Sequence, residues 1–199
     1  MRKIPTLFVR SGVPPSHVRP TVYAPCQWVA DGQGRATRKW DGTSCLVERG
    51  VLYKRVSLGR AKPAPEGFRL AEVDTATGKR YGWAPLAGPG DQWHREGWAN
   101  LHFAGSGVAA DGTYELVGPK VNANPDQWPT HTLIRHGHAR DPVELDDLDT
   151  CPREFYALAA WLAKRPYEGI VWHHPDGRMA KLKRRDYPAA LLAAGLAAA

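Results

Sequence analysis

Short runs of alternating or apolar residues, cut apart by glycine-containing turn pairs, constrain this chain more than any other feature. Asp41-Gly42, Arg49-Gly50 and Asp176-Gly177 each stand between two such runs. Glycine enters positive φ without steric penalty, so these pairs favour tight reversals and antiparallel pairing of the flanking segments. Residues 44–48 and 51–55 around Arg49-Gly50 read as a hairpin. Residues 168–173 and 179–183, joined by Pro175-Asp176-Gly177-Arg178, read as a second, whose two- or four-residue loop is expected to set Trp172 opposite Lys181 and Ile170 opposite Lys183 and so to put Glu168, Lys181 and Lys183 on one face. Residues 35–40 form a strand running into Asp41-Gly42, Gly32 and Gly34 bracket a turn before it, and residues 113–118 form a further strand.

Helical signals gather near the C-terminus. Phe155, Leu158, Ala159 and Leu162 give residues 153–164 an apolar stripe, with Thr150 as the expected cap and Pro166 beyond the end. Pro188 opens a last helix rich in Ala and Leu. Residues 57–112, rich in Pro, Gly and Trp, show little periodicity and read as a long irregular region. Strands followed by helices indicate an α+β fold with antiparallel sheets, not a doubly wound parallel one. The 199 residues are expected to form a single domain.

Lys and Arg number 27 against 20 Asp and Glu, a net charge of +7, which favours a polyanionic partner such as nucleic acid or a nucleotide. Three cysteines with no CxxC pair argue against a disulfide framework or a zinc ribbon. Residues 1–10 lack the apolar core of a signal peptide, and no apolar run approaches the ~20 residues of a membrane span. A monomer in a reducing cytoplasm, with no membrane partner, is the expectation. His136-Gly137-His138 and His173-His174 lack zinc spacing, and Gly105-Ser106-Gly107 lacks the Lys-Ser/Thr of a phosphate-cradling loop.

The chemistry centres on Lys39-Trp40-Asp41-Gly42. A lysine at a strand end, held by a tight turn, is a candidate nucleophile. An amine attacking phosphorus must be neutral, whereas free lysine has a pKa near ~10.4. Neighbouring cations lower that value, so a nucleophilic Lys39 calls for other basic groups beside it. Lys181-Leu182-Lys183 supplies them, following Glu168-Gly169-Ile170-Val171, with Tyr114-Glu115 midway along the chain. Each piece alone has an ordinary structural reading; their order makes coincidence far less credible.

That order and spacing resemble the covalent nucleotidyltransferase superfamily of ATP-dependent DNA ligases, RNA ligases and mRNA capping enzymes. Residues 39–42 look like motif I, 52–56 like motif Ia, 114–115 like motif III, 168–171 like motif IV and 181–183 like motif V. The stretches 3–8, 36–43, 114–124 and 169–187 resemble the RNA ligase 1 type family of small 5′-to-3′ RNA ligases more closely. The resemblance implies a ligase adenylation domain that uses ATP and Mg²⁺ or Mn²⁺. Its substrate would be RNA with 5′-phosphate and 3′-hydroxyl ends, sealed through a lysyl-AMP intermediate, and its setting RNA repair.

Carried over position by position, Lys39 is the nucleophile, Arg55 a phosphate contact, Glu115 the ribose contact, Glu168 the metal organiser, and Lys181 and Lys183 the groups that neutralise phosphate charge. Arg38, Asp41 and Gly42 complete the implied ATP-binding set. Phosphoryl transfer suits such a set, because it needs positioning and charge neutralisation more than covalent assistance. The superfamily usually stacks adenine on an aromatic about twenty residues past motif III, but residues 131–136 hold no Phe or Tyr. An aliphatic side chain, His136 or a Trp are the alternatives. Sixteen residues follow Lys183, so the OB-fold of DNA ligases and capping enzymes is not expected. A minimal DNA ligase or other adenylyltransferase is the enzymatic alternative, and a basic RNA-binding module the non-enzymatic one.

Overall fold

The computed structural model describes residues 3–103, 109–137 and 147–197, and among these every ladder between two strands is antiparallel, with one isolated parallel bridge from Thr6 to Lys181. In chain order the strands are β1 (Phe8–Arg10), β2 (Val18–Val22), β3 (Arg35–Lys39), β4 (Thr43–Glu48), β5 (Val51–Leu58), β6 (Arg69–Val73), β7 (Arg80–Pro85), β8 (Gly112–Val117), β9 (Thr132–Arg135), β10 (Gly169–His173) and β11 (Met179–Lys183). Helices are α1 (Gln27–Ala30), α2 (Gln92–Phe103), α3 (Phe155–Ala163) and α4 (Ala189–Ala197). The class is α+β, as the turn punctuation predicts. Among the described residues no helix is long and apolar enough to cross a membrane.

The chain forms two compact units. One comprises Ile4–Trp40 and Gly137–Ala199, the other Met1–Lys3 and Asp41–His136. The boundary in sequence falls within Lys39-Trp40-Asp41-Gly42.

In the first unit, β10 lies between β11 and β3. Alternation along these strands divides the sheet. Ile170, Trp172, Ala180, Leu182 and Ala36 join Phe155, Leu158 and Leu162 of α3 in one buried core. The opposite face carries Lys39, Thr37, Lys181 and Lys183, by register with Gly169 and Val171. The edge of β11 is covered by residues 5–7: Leu7 N donates to Lys181 O and Lys181 N to Pro5 O. Helix α3 begins one turn later than Thr150 would place it. Glu154 is the cap, its carboxylate accepting from Tyr156 N and Ala157 N, while Thr150 donates to Asp147 O.

The β10–β11 hairpin corrects a register. A two- or four-residue loop would set Trp172 opposite Lys181 and Ile170 opposite Lys183. The loop instead has three residues, closed by His174 N donating to Arg178 O. Gly177 takes the left-handed φ of 89° that such loops require, and Asp176 braces the turn by accepting from Arg178 N. The register is therefore shifted by one, with Gly169 opposite Lys183 and Val171 opposite Lys181.

The second unit is a six-stranded sheet in the order β6-β7-β5-β4-β8-β9. Cys45, Val47, Leu52, Leu116 and Leu133 share its apolar face, packed by Trp93 and Trp98 of α2. Buried Asp91 anchors the start of that helix, bonding Lys54 Nζ of β5 at 2.6 Å and accepting from Ala87 N. The predicted irregular stretch 57–112 is thus largely ordered: β6, β7 and α2 lie within it. Strands of five and six residues give too few repeats for alternation to stand out, and α2 mixes its aromatic positions with polar ones. Gly105-Ser106-Gly107 and His138 lie outside the described residues.

Candidate functional site

Lys39 is the last residue of β3, where a strand-end side chain is held by the ladder on one side only. Its Nζ lies 2.5 Å from Glu168 Oε2 and donates to Trp40 O at 3.2 Å. Lys183 Nζ lies 2.6 Å from the other oxygen, Glu168 Oε1. Glu168 therefore bridges two lysines of different strands, and its side chain is only 8% exposed.

Strict alternation from the observed register would send Glu168 toward the core beside Ile170. It escapes because it stands one residue before β10. Gly169, the next residue, lies between Lys39 and Lys183 in the cross-strand register. A Cβ at 169 would come within 2.1 Å of Leu182 O. With no side chain at 169 to part the two ammonium groups, both reach one carboxylate. The grouping of Glu168 with the lysines is thus achieved by a route other than the predicted register.

Lys181 occupies the same face one pair further along, opposite Val171. Burial, followed by the charges of Lys183 and Lys39, lowers its pKa from the ordinary 10.5 to about 8, with Asp186 and Glu168 opposing. Next to it, Thr37 Oγ1 donates to Val171 O and stands 3.0 Å from His173 Nε2. Arg38 alternates to the other face of β3. Its guanidinium lies 3.8 Å from the ring centroid of Trp40 and 4.6 Å from that of Tyr167. The structure does not bring it into the lysine cluster.

The remaining predicted residues belong to the second unit. Asp41 Oδ1 and Gly42 O both accept from Asn122 Nδ2, at 3.0 and 2.8 Å, and Asp41 N donates to Asp126 Oδ2. A Cβ on Gly42 would fall 2.2 Å from Leu116 O and 2.7 Å from Glu115 Cγ. This glycine is therefore demanded by the close approach of the turn to β8. Glu115 is buried on the polar face of the sheet. Its Oε2 accepts from Ser44 Oγ at 3.1 Å and pairs with His136 Nε2 at 2.9 Å. Arg55 stands opposite Trp83 in the β5–β7 register, its guanidinium 4.8 Å from the Trp83 ring centroid and 5.8 Å from that of Tyr81. Burial lowers its pKa, with Glu72 opposing.

Sequence reasoning gave no role to Asn122 and no geometry to His136. Asn122, Ala123 and Asn124 are all left-handed, with φ of 46°, 60° and 53°. Asparagines on either side of a single residue and just before Pro125 were the available signal, since Asn tolerates that conformation best after Gly.

Among the described residues no group of three or more His, Cys, Asp or Glu forms a metal cage. Glu168 is the acidic group in the lysine cluster. That donor set fits Mg²⁺, which binds through one or two carboxylates and otherwise through phosphate oxygens and water.

A family model described as RNA ligase 1 matches residues 106–190. Over 82 aligned residues the chain is 34% identical to the protein RNA ligase 1 of Danio rerio, covering 36% of this chain and 23% of that protein. The chain thus aligns with less than a quarter of that relative's length. Both likenesses are to RNA ligases, and the matched segment holds Glu115, His136, Glu168, Lys181 and Lys183. Lys39, Asp41, Gly42 and Arg55 precede it.

Proposed function

We propose that the chain is an ATP-dependent RNA ligase of the nucleotidyltransferase type that joins 5′-phosphate and 3′-hydroxyl ends in RNA repair. The observation that carries this reading is the cluster of Lys39, Lys181 and Lys183 around Glu168 on one sheet face. A lysine ion-paired at a strand end among other cations is equipped to exchange its carboxylate partner for a phosphate. The likeness to RNA ligases directs the choice of polynucleotide.

In the first step Lys39 Nζ, having given a proton to solvent, attacks the α-phosphorus of ATP. The N–P bond forms as the bond to the leaving pyrophosphate breaks. Lys181 and Lys183 offset the charge gathering on the α-phosphate and the leaving group. Glu115 accepts from the ribose hydroxyls, and Arg55 offers a planar fork to a phosphate. In the second step an oxygen of the RNA 5′-phosphate attacks the adenylate phosphorus, the N–P bond breaks, and Lys39 regains its proton. In the third, the RNA 3′-hydroxyl attacks the activated 5′-phosphate, gives up its proton, and AMP leaves. Glu168 would hold Mg²⁺, which when bound supplies charge neutralisation at phosphate oxygens.

Incubation with α-labelled ATP and Mg²⁺, followed by a denaturing gel, tests the reading. The expected result is a protein-linked label released by RNA carrying a 5′-phosphate, with RNA ends sealed in preference to all-DNA ends. Absence of any covalent label overturns the enzymatic reading. Equal sealing of an all-DNA nick would make the protein a minimal DNA ligase.

A further inference from the structure

The second unit holds a network around Glu115 that the reaction scheme leaves unused. His136 N donates to Thr113 O at 3.0 Å, extending the β8–β9 ladder by one residue. His136 therefore lies on the same face as Thr113 and Glu115, which are two apart on β8. Its ring spans the gap between them: Nδ1 is 3.0 Å from Thr113 Oγ1, and Nε2 is 2.9 Å from Glu115 Oε2. A carboxylate can only accept, so Nε2 carries a proton, and in the neutral ring Nδ1 accepts from the Thr113 hydroxyl. On the other flank of β8, Ser44 Oγ donates to the same Oε2. Both donors converge on one carboxylate oxygen and leave Oε1 to neither.

A glutamate carboxyl otherwise turns broadly about its last torsion. Two donors on Oε2, one from each neighbouring strand segment, remove that freedom. We infer that His136 is a positioning residue that fixes the plane of the Glu115 carboxylate, so that Oε1 is presented to the ribose hydroxyls of the nucleotide. The inference rests on the ligase reading, in which Glu115 contacts the ribose. Discrimination between ATP and its deoxy analogues then depends on His136, which itself touches neither the phosphates nor the reacting atoms.

The test compares His136→Phe, which keeps a ring and removes both bonds, with His136→Gln, which keeps one donor for Glu115. The readout is KM and kcat for lysyl-AMP formation from ATP, 2′-deoxyATP and 3′-deoxyATP. Loss of a hydrogen bond to a charged group predicts that His136→Phe raises KM for ATP about tenfold and leaves kcat within about twofold. With the deoxy analogue whose missing hydroxyl Glu115 reads, the same variant changes KM by less than about twofold. His136→Gln restores most of the loss. Nitrogen NMR of the full chain should show the Nε2-protonated tautomer of His136, and Glu115→Gln should shift it. An unchanged KM for His136→Phe in a protein that forms the adduct overturns the inference and leaves the ligase reading intact. So does an Nδ1-protonated ring in the wild type. Absence of adduct in the wild type overturns the ligase reading instead, and this role for His136 with it.

Discussion

Lys39 Nζ lies 2.5 Å from Glu168 Oε2, while the second oxygen of the same carboxylate holds Lys183 at 2.6 Å. One acidic group thus keeps the candidate nucleophile and a second lysine, proposed to neutralise phosphate, side by side. Truncating it leaves Lys39, Lys181 and Lys183 facing one another with no carboxylate between them. Glu168→Ala should therefore lower lysyl-AMP formation by at least about a hundredfold, in the range seen when a preorganised charged group is removed from an active site. Glu168→Gln keeps the shape but not the charge and should recover little. Denaturant unfolding should show a loss of about 1–3 kcal/mol, because the side chains are largely but not fully buried. Adduct formation by Glu168→Ala at near wild-type rate would remove Glu168 from the mechanism.

Lys39 itself makes the sharpest prediction. Its side chain is partly exposed and belongs to neither apolar core, so Lys39→Ala should fold with a melting temperature near that of the wild type. Lys39→Ala and Lys39→Arg should both lose the AMP adduct entirely, since a guanidinium stays protonated and is a poor nucleophile. A pre-adenylylated RNA end bypasses the first step, so both variants should retain some sealing of that substrate. An adduct in Lys39→Ala, located by mass spectrometry on another residue, would move the nucleophile.

Much of this site was legible in the sequence because turn chemistry and strand alternation are local. Arg49-Gly50 did close a hairpin between β4 and β5, and Lys39-Trp40-Asp41-Gly42 did end a strand in a turn. The register of β10 and β11 was not legible. Pro175-Asp176-Gly177-Arg178 is compatible with two-, three- and four-residue loops, and the side-chain brace from Asp176 to Arg178 selects among them only once the loop has formed. The place of Glu168 depended on a neighbour with no side chain, a relation that becomes visible only after Gly169 is set between two strands. Strands β6 and β7 escaped because each is too short to show a period, and Asn122 because its two bonds to the Asp41-Gly42 turn join residues about 80 positions apart.

Gly42 links the turn to the carboxylate on β8. A methyl group there would stand 2.2 Å from Leu116 O, which cannot yield without opening the β4–β8 pairing, and 2.7 Å from Glu115 Cγ, which would have to move aside. Gly42→Ala should destabilise the protein by about 2–4 kcal/mol, the range for overpacking against fixed backbone. It should also weaken ATP binding more than Asn122→Ala does. The asparagine contributes two hydrogen bonds to the same turn, so its removal should cost about 1–2 kcal/mol without displacing Glu115. Paired denaturation and calorimetric titrations with ATP measure both. Equal effects of the two substitutions on ATP binding would dissociate Gly42 from the placement of Glu115.

Lys181 predicts opposite pH trends for stability and for nucleotide binding. Burial and the adjacent lysines lower its pKa from 10.5 to about 8. Below about pH 8 it is charged in both the folded and the unfolded chain. Between about 8 and 10.5 the unfolded chain still holds a proton that the folded chain has released. The unfolded state then binds more protons, so the contribution of Lys181 to stability rises with pH across that window. After discounting for its partial exposure, the gain is about 1–2 kcal/mol. Other groups titrate there as well, so the observable is the difference between wild type and Lys181→Met in denaturant unfolding at pH 7 and pH 10. Over the same window the folded protein loses a positive charge from the lysine cluster, so its affinity for a non-reacting ATP analogue should fall, by up to about tenfold. Lys181→Arg should hold that affinity to pH 10, because guanidinium keeps its proton. Using a non-reacting analogue separates this trend from the deprotonation Lys39 needs for attack, which acts on the rate. A wild-type affinity that stays level from pH 7 to pH 10, matching Lys181→Arg, would place Lys181 outside the phosphate site.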